Sequence, residues 1–169
     1  ITPRKIFIAI GNTPQDFSRI LGYVENIHQL FPMAKIIGQF GSTKIPNWPF
    51  LEGYDYLSRE NFSDFLVGSD CVIVHGGVGV ITECLEAGIV PIIIPRVVKL
   101  GEHLDETQVP LAYRIQSLDI GVTLSDNLDS SRIKSIIDEV CSNRIRRINK
   151  DSFGSKFINI INERLKGKL

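Results

Sequence analysis

Val72-Ile73-Val74-His75-Gly76-Gly77-Val78-Gly79-Val80-Ile81-Thr82-Glu83 is the stretch that decides the fold, and Ala87-Gly88 and Val90-Pro91-Ile92-Ile93-Ile94-Pro95 follow it closely. A β-branched run enters a glycine turn and an apolar-periodic segment leaves it, so the pattern predicts strand, turn, helix and strand in succession. Free backbone N–H groups at such a turn converge beside the positive end of a helix, which suits an anion. A side chain at Gly76, Gly77 or Gly79 would hold a diphosphate off the backbone or forbid the turn. Glu83 falls within the first turns of the helix, where its carboxylate can accept hydrogen bonds from the vicinal hydroxyls of a ribose. The alternatives are a turn that only packs helix on strand, and a Glu83 that answers the helix dipole.

Outward from this stretch the same alternation continues. Lys5–Ile10, Ala34–Ile37, Phe50–Tyr54, Cys71–Val74, Pro91–Ile94 and Ile120–Leu124 read as strands. Thr13, with Pro14 behind it, reads as the cap of a helix whose stripe is Phe17, Ile20, Leu21, Val24, Ile27 and Leu30. Gly41 to Pro49 reads as loop, and Ser58 as the start of a short helix. Val78–Ala87, Glu102–Gln116, Leu128–Cys141 and Asp151–Leu165 complete the helices. Near-continuous apolar strands alternating with helices indicate an α/β, doubly wound parallel sheet covered on both faces. Ligands of such sheets sit at the carboxyl ends of strands, where Gly11-Asn12-Thr13 and His75 to Gly79 both fall.

Composition narrows the function classes. The chain of 169 residues, 43% hydrophobic, is long enough for one core, and its zero net charge speaks against nucleic acid as a partner. Charge is uneven, however: from Arg144 onward eight Lys or Arg face only Asp151 and Glu163. Residues 1–143 are therefore expected to form the ligand-binding domain, and 144–169 a basic amphipathic helix packed on it or on a partner. Cys71, Cys84 and Cys141 are widely spaced and fall in strand or helix interiors, as reduced core thiols of a cytosolic protein would. His28, His75 and His103 share no metal-ligand spacing with them, so no metal is expected. No apolar run approaches the roughly 18 residues of a membrane span, and no leader is evident, which predicts a soluble chain. It begins at Ile1 rather than Met, which leaves room for residues upstream.

Beyond Pro95-Arg96 comes Gly101-Glu102-His103-Leu104-Asp105-Glu106-Thr107-Gln108. The series HGGxG, EAG, PIIIPR and GEHxDxxQ resembles the C-terminal, donor-binding half of family 28 glycosyltransferases of the GT-B type. More narrowly, it resembles the small subunit of bacterial two-subunit exopolysaccharide and capsule galactosyltransferases, and the related catalytic subunit of the dolichol-linked GlcNAc transferase. Phe7-Ile8-Ala9-Ile10-Gly11-Asn12 and Asp16-Phe17-Ser18-Arg19-Ile20 resemble that group's first strand, turn and helix, so the likeness spans about Ile6 to Thr123. Departures are Val80 where relatives carry Ser or Thr, Thr107 where they carry His, and Asn12 where Thr is common.

The resemblance implies a UDP-sugar donor and no separate cofactor. Gly11 and Asn12 would form the first turn of the site; Gly76, Gly77 and Gly79 would cradle the diphosphate, and Glu83 would hold the ribose. Gln108 would reach the sugar, with Glu102 and Asp105 shaping its pocket, and the uracil would lie near Tyr56 and Leu57. Arg96 or Lys99 would support the leaving UDP, although an arginine after a strand is often a surface ion-pair partner. His75 and His103 are the candidates for catalysis: the first can equally bind phosphate or fix the turn, and the second can simply be solvent-exposed.

The function so implied is transfer of a hexose, galactose first, to a lipid-linked saccharide acceptor in exopolysaccharide or capsule synthesis. The chain would act as the donor-binding, catalytic subunit of an inverting transferase at the inner face of the membrane. A membrane-associated partner subunit would supply the acceptor lobe and the base, and an exposed lobe interface would favour homodimers when the chain is alone. The rivals are a nucleotide-binding subunit that only stabilises its partner and a UDP-GlcNAc epimerase, which needs a second lobe in the same chain. A dinucleotide site is set aside because the glycine turn is not in the first βα unit and no ordinary GxGxxG occurs.

Overall fold

The computed structural model describes residues 2–124 and 129–142. Six parallel strands form one sheet: β1 (Lys5–Ala9), β2 (Lys35–Gln39), β3 (Leu51–Tyr54), β4 (Cys71–Val74), β5 (Ile92–Ile93) and β6 (Val122–Thr123). Their spatial order is β3-β2-β1-β4-β5-β6. The chain builds outward from β1 in one direction, returns, and builds outward in the other, so β1 and β4 flank the switch point of a doubly wound sheet. The expected fold class stands.

Strand periodicity divides the core into two layers. Ile6 and Ile8 of β1, Ile36 of β2 and Ile73 of β4 face α1 (Arg19–Leu30) and α5 (Ser130–Ser142), which contribute Ile20, Val24, Ile27, Ile133 and Ile137. Phe7, Ile37, Val72 and Val74 face the opposite layer of α2 (Arg59–Val67), α3 (Val78–Glu86) and α4 (Gln108–Ser117), with Leu66, Ile81, Leu85, Leu111 and Ile115. All three cysteines are buried free thiols. Burial pushes the Cys84 thiol up to about 12, with the Glu83 charge adding to the effect, so it is inert at neutral pH.

Two helices begin later than the sequence suggests. Thr13 and Pro14 do not start α1, because tertiary bonds claim the segment: Ser42 donates to the Thr13 carbonyl and Phe17 N–H to Thr43 Oγ1. Phe17 is thereby buried as an anchor and the helix starts at Arg19. The expected helix from Glu102 starts only at Gln108, after a 3-10 turn at Val98–Leu100 that Gly101 ends at φ +73°. The stretch between is loop because the Glu102 carboxylate is bonded to Arg19 and to the Val97 N–H. Ser58, by contrast, caps α2 as expected, accepting from Asn61 N–H at 3.2 Å. The expected helix over 151–165 and the division at 143/144 lie outside the described residues. Among the described residues no helix is long and apolar enough to cross a membrane.

Phe7 is fully buried and meets the ring of Phe62 edge-on at 5.2 Å, with Phe65 at 5.9 Å. Phe7→Ala is expected to cost about 3–5 kcal/mol in urea unfolding. A loss below about 1 kcal/mol would mean that α2 does not rest on this ring.

Candidate functional site

A cleft of about 380 Å³ opens at the carboxyl ends of β1, β2 and β4, at the switch point. Gly11 and Asn12 form one wall, Gly77, Gly79, Val80 and Glu83 another, and Leu57, Arg59 and Phe62 a third. Ala9, Gln39 and His75 lie between them.

Gly77 is the N-cap of α3, and the first intrahelical bond runs from Ile81 N–H to its carbonyl. The N–H groups of Val78, Gly79 and Val80 therefore have no acceptor within the helix. A Cβ at Gly79 would meet nothing within 4 Å, so this backbone is open to a ligand. Gly77 and Gly11 are glycines for a different reason: side chains there would run into the His75 ring, at 2.5 Å from Nε2 in the case of Gly11, which also stands at φ +78°.

His75 is buried among these turns, and its Nδ1 has no hydrogen-bond partner among the described residues. Burial, reinforced by the Arg96 charge and weakly by His103, brings its pKa down to about 4 against an opposing contribution from Gln108. The ring is neutral at pH 7 and can offer a hydrogen bond but no charge.

Behind the cleft lies a polar hub that uses several residues expected to face the ligand. The Arg96 guanidinium, 2% exposed, donates to the carbonyls of Ile10 (2.8 Å), Gln15 (2.8 Å) and Glu102 (3.1 Å) and lies over the Phe17 ring. It does not line the cleft, and it is not a surface ion-pair partner either. Gln108 is also turned inward: its Oε1 accepts from Gly76 N–H and Arg96 N–H, each at 3.0 Å. Gly76 accordingly spends its N–H on Gln108, and its lack of a side chain admits Gln108 Cβ, which would stand 2.7 Å from a Cβ there. Glu102 holds Arg19 through two bonds at 2.8 and 2.9 Å. His103 and Asp105 pair with each other at 3.3 Å beyond the cleft, and Asp105 also accepts from Thr107.

The sequence-based set is thus divided. Gly11, Asn12, His75, Gly77, Gly79 and Glu83 meet at the cleft, whereas Gly76, Arg96, Glu102, Asp105, His103 and Gln108 do not line it. Leu57 lines it but Tyr56 does not. Gln39, Arg59 and Phe62 were missed. A polar residue ending an apolar strand was the available signal for Gln39, and a cation just after a helix cap was the signal for Arg59. Gln39 joins two walls, accepting from Leu57 N–H at 2.8 Å and donating to Asn12 Oδ1 at 3.2 Å. Among the described residues no three His, Cys, Asp or Glu side chains gather as metal ligands would.

No protein-family model and no curated protein matches the chain. Solved structures do. The glycotransferase of kitacinnamycin superposes with a TM-score of 0.69 at 15% identity, over 94% of this chain and 40% of its own. CalG4, the calicheamicin glycosyltransferase, gives 0.66 at 16%, over 92% and 39%. The spinosyn forosaminyltransferase SpnP gives 0.58 at 13%, over 99% and 44%. The chain spans about two fifths of the length of these proteins. At this identity the likeness shows the fold, a single Rossmann-like lobe of the GT-B type.

The buried histidine has a measurable consequence. Below pH 6.5 the unfolded chain takes up a proton at His75 that the folded chain refuses until about pH 4. Stability is therefore expected to fall by about 3 kcal/mol as pH drops through that window and then to level off. Urea unfolding of the wild type and His75→Asn from pH 7.5 to 4 checks this. The variant should lose that part of the slope; parallel curves would show that the ring titrates alike in both states.

Proposed function

We propose that this chain is the donor-binding lobe of a glycosyltransferase and that the switch-point cleft holds a UDP-sugar. The observation that carries the reading is the convergence, in one cleft, of the free N–H groups of α3, the Glu83 carboxylate and the apolar wall of Leu57 and Phe62. These suit, in turn, a diphosphate, a ribose and a base. Fold likeness to three glycosyltransferases supports the reading.

In the finer form implied by the family 28 resemblance, the chain is the catalytic subunit of an inverting enzyme. An acceptor hydroxyl attacks the anomeric carbon, the bond from that carbon to the diphosphate oxygen breaks, and the hydroxyl proton passes to a base. The α3 N–H groups face the charge that grows on the departing UDP, and they are already oriented for it. The hexose is galactose, and the acceptor is a lipid-linked saccharide of exopolysaccharide or capsule synthesis. A membrane-associated partner subunit supplies the second lobe and the base, and holds this chain at the inner face of the membrane.

One observation favours a second reading, a nucleotide-binding subunit that only supports its partner. The acid–base side chains lining the cleft are Glu83, given to the ribose, and His75, held neutral by burial. Turnover by a reconstituted pair carrying Glu83→Ala separates the two, since only a catalytic subunit should lose it.

Calorimetric titration with UDP, and with ADP as control, tests the donor site. UDP is expected to bind selectively and to weaken by at least about tenfold in Glu83→Ala. Gly79→Ala should also weaken UDP while raising stability by up to about 1 kcal/mol, since the site is open and alanine favours the helix. Equal binding of UDP and ADP, or wild-type affinity in both variants, would contradict the reading.

A further inference from the structure

A diphosphate brings at least two negative charges, and backbone N–H groups offset only part of them. Arg96, the arginine the sequence offered for this charge, is unavailable because its two terminal nitrogens donate to carbonyls behind the cleft and the side chain is buried there. Among the side chains that line the cleft, the charged ones are Glu83 and Arg59. Arg59 is the first residue of α2, directly after the Ser58 cap, and it is exposed. No hydrogen bond or ion pair engages its guanidinium among the described residues, and none joins it to Glu83.

Two helix N-termini, those of α2 and α3, therefore open on one cleft, and an unengaged guanidinium stands at the first of them. His75, whose buried Nδ1 has no hydrogen-bond partner among the described residues, lines the same cleft. From this juxtaposition we infer that Arg59 is the counter-ion that retains the diphosphate of a nucleotide ligand in the cleft. The inference rests on the donor-site reading and adds to it the residue that supplies the charge. An exposed guanidinium lining the cleft is available to the anion, and its contribution is screened by salt because it is open to solvent.

Calorimetry of wild type, Arg59→Ala and Arg59→Lys with uridine and with UDP, at low and high salt, tests it. Wild type should bind UDP more tightly than uridine, with the gap narrowing as salt rises. Arg59→Ala should weaken UDP by about tenfold, leave uridine unchanged and flatten the salt dependence, while Arg59→Lys restores part of the loss. Thermal unfolding should be the same in all three, since the side chain makes no hydrogen bond or ion pair among the described residues. Wild-type binding of UDP with no loss in Arg59→Ala would overturn the inference alone. Equal weakening of uridine and UDP would also overturn it, by placing Arg59 on the base. Failure of the wild type to bind UDP at all would overturn the donor-site reading and this inference together.

Discussion

The Arg96 guanidinium is a full charge buried beneath the carboxyl edge of the sheet, and the shape of the ligand cleft depends on how it is satisfied. A buried charge is costly unless it is hydrogen-bonded, and the two terminal nitrogens of Arg96 donate to main-chain carbonyls from three separate places, Ile10, Gln15 and Glu102, while Nε has no partner among the described residues. Its own N–H and that of Gly76 share the Gln108 carboxamide oxygen. The loops after β1, β4 and β5 are thereby tied to one another from behind. What remains free in front is the α3 terminus, whose first N–H groups have no partner shown among the described residues.

That arrangement explains why a turn rich in glycine is so tightly specified. Gly76 makes room for Gln108, Gly77 and Gly11 make room for His75, and Gly79 leaves open space. Only the last of these is needed for the approach of a ligand; the others let the hub and the histidine pack beneath the turn. A single short motif therefore serves two purposes, holding the edge of the sheet together and presenting its amide groups.

The central strand and helix were legible in the sequence because their signals are local. Cys71–Val74 is a β-branched run bounded by polar and glycine residues, and the apolar spacing of α3 follows the turn directly. The starts of α1 and α4 differ from the sequence reading because groups at Thr13 and Glu102 are held by partners far along the chain: the Thr13 carbonyl accepts from Ser42, and the Glu102 carboxylate from Arg19. The same limit explains the site. Gln108 at the start of α4, and Glu102 and Arg96 in loops, are polar residues at the right edge, and only their long-range partners show that they point inward. Gln39 and Arg59 belong to no motif, and they reach the cleft because the sheet order sets β2 beside β1 and α2 in the same layer as α3.

The account turns on whether a nucleotide diphosphate seats on the free amides of α3. Amide chemical-shift mapping of the 15N-labelled chain with UDP addresses this directly. The expected result is that the largest shifts fall on Gly77, Val78, Gly79 and Val80, with smaller ones at Asn12 and Leu57 and none along α5. Saturating UDP that leaves the α3 amides unmoved, or that perturbs chiefly the loop around His103 and Asp105, would contradict the assignment of this cleft as the donor site.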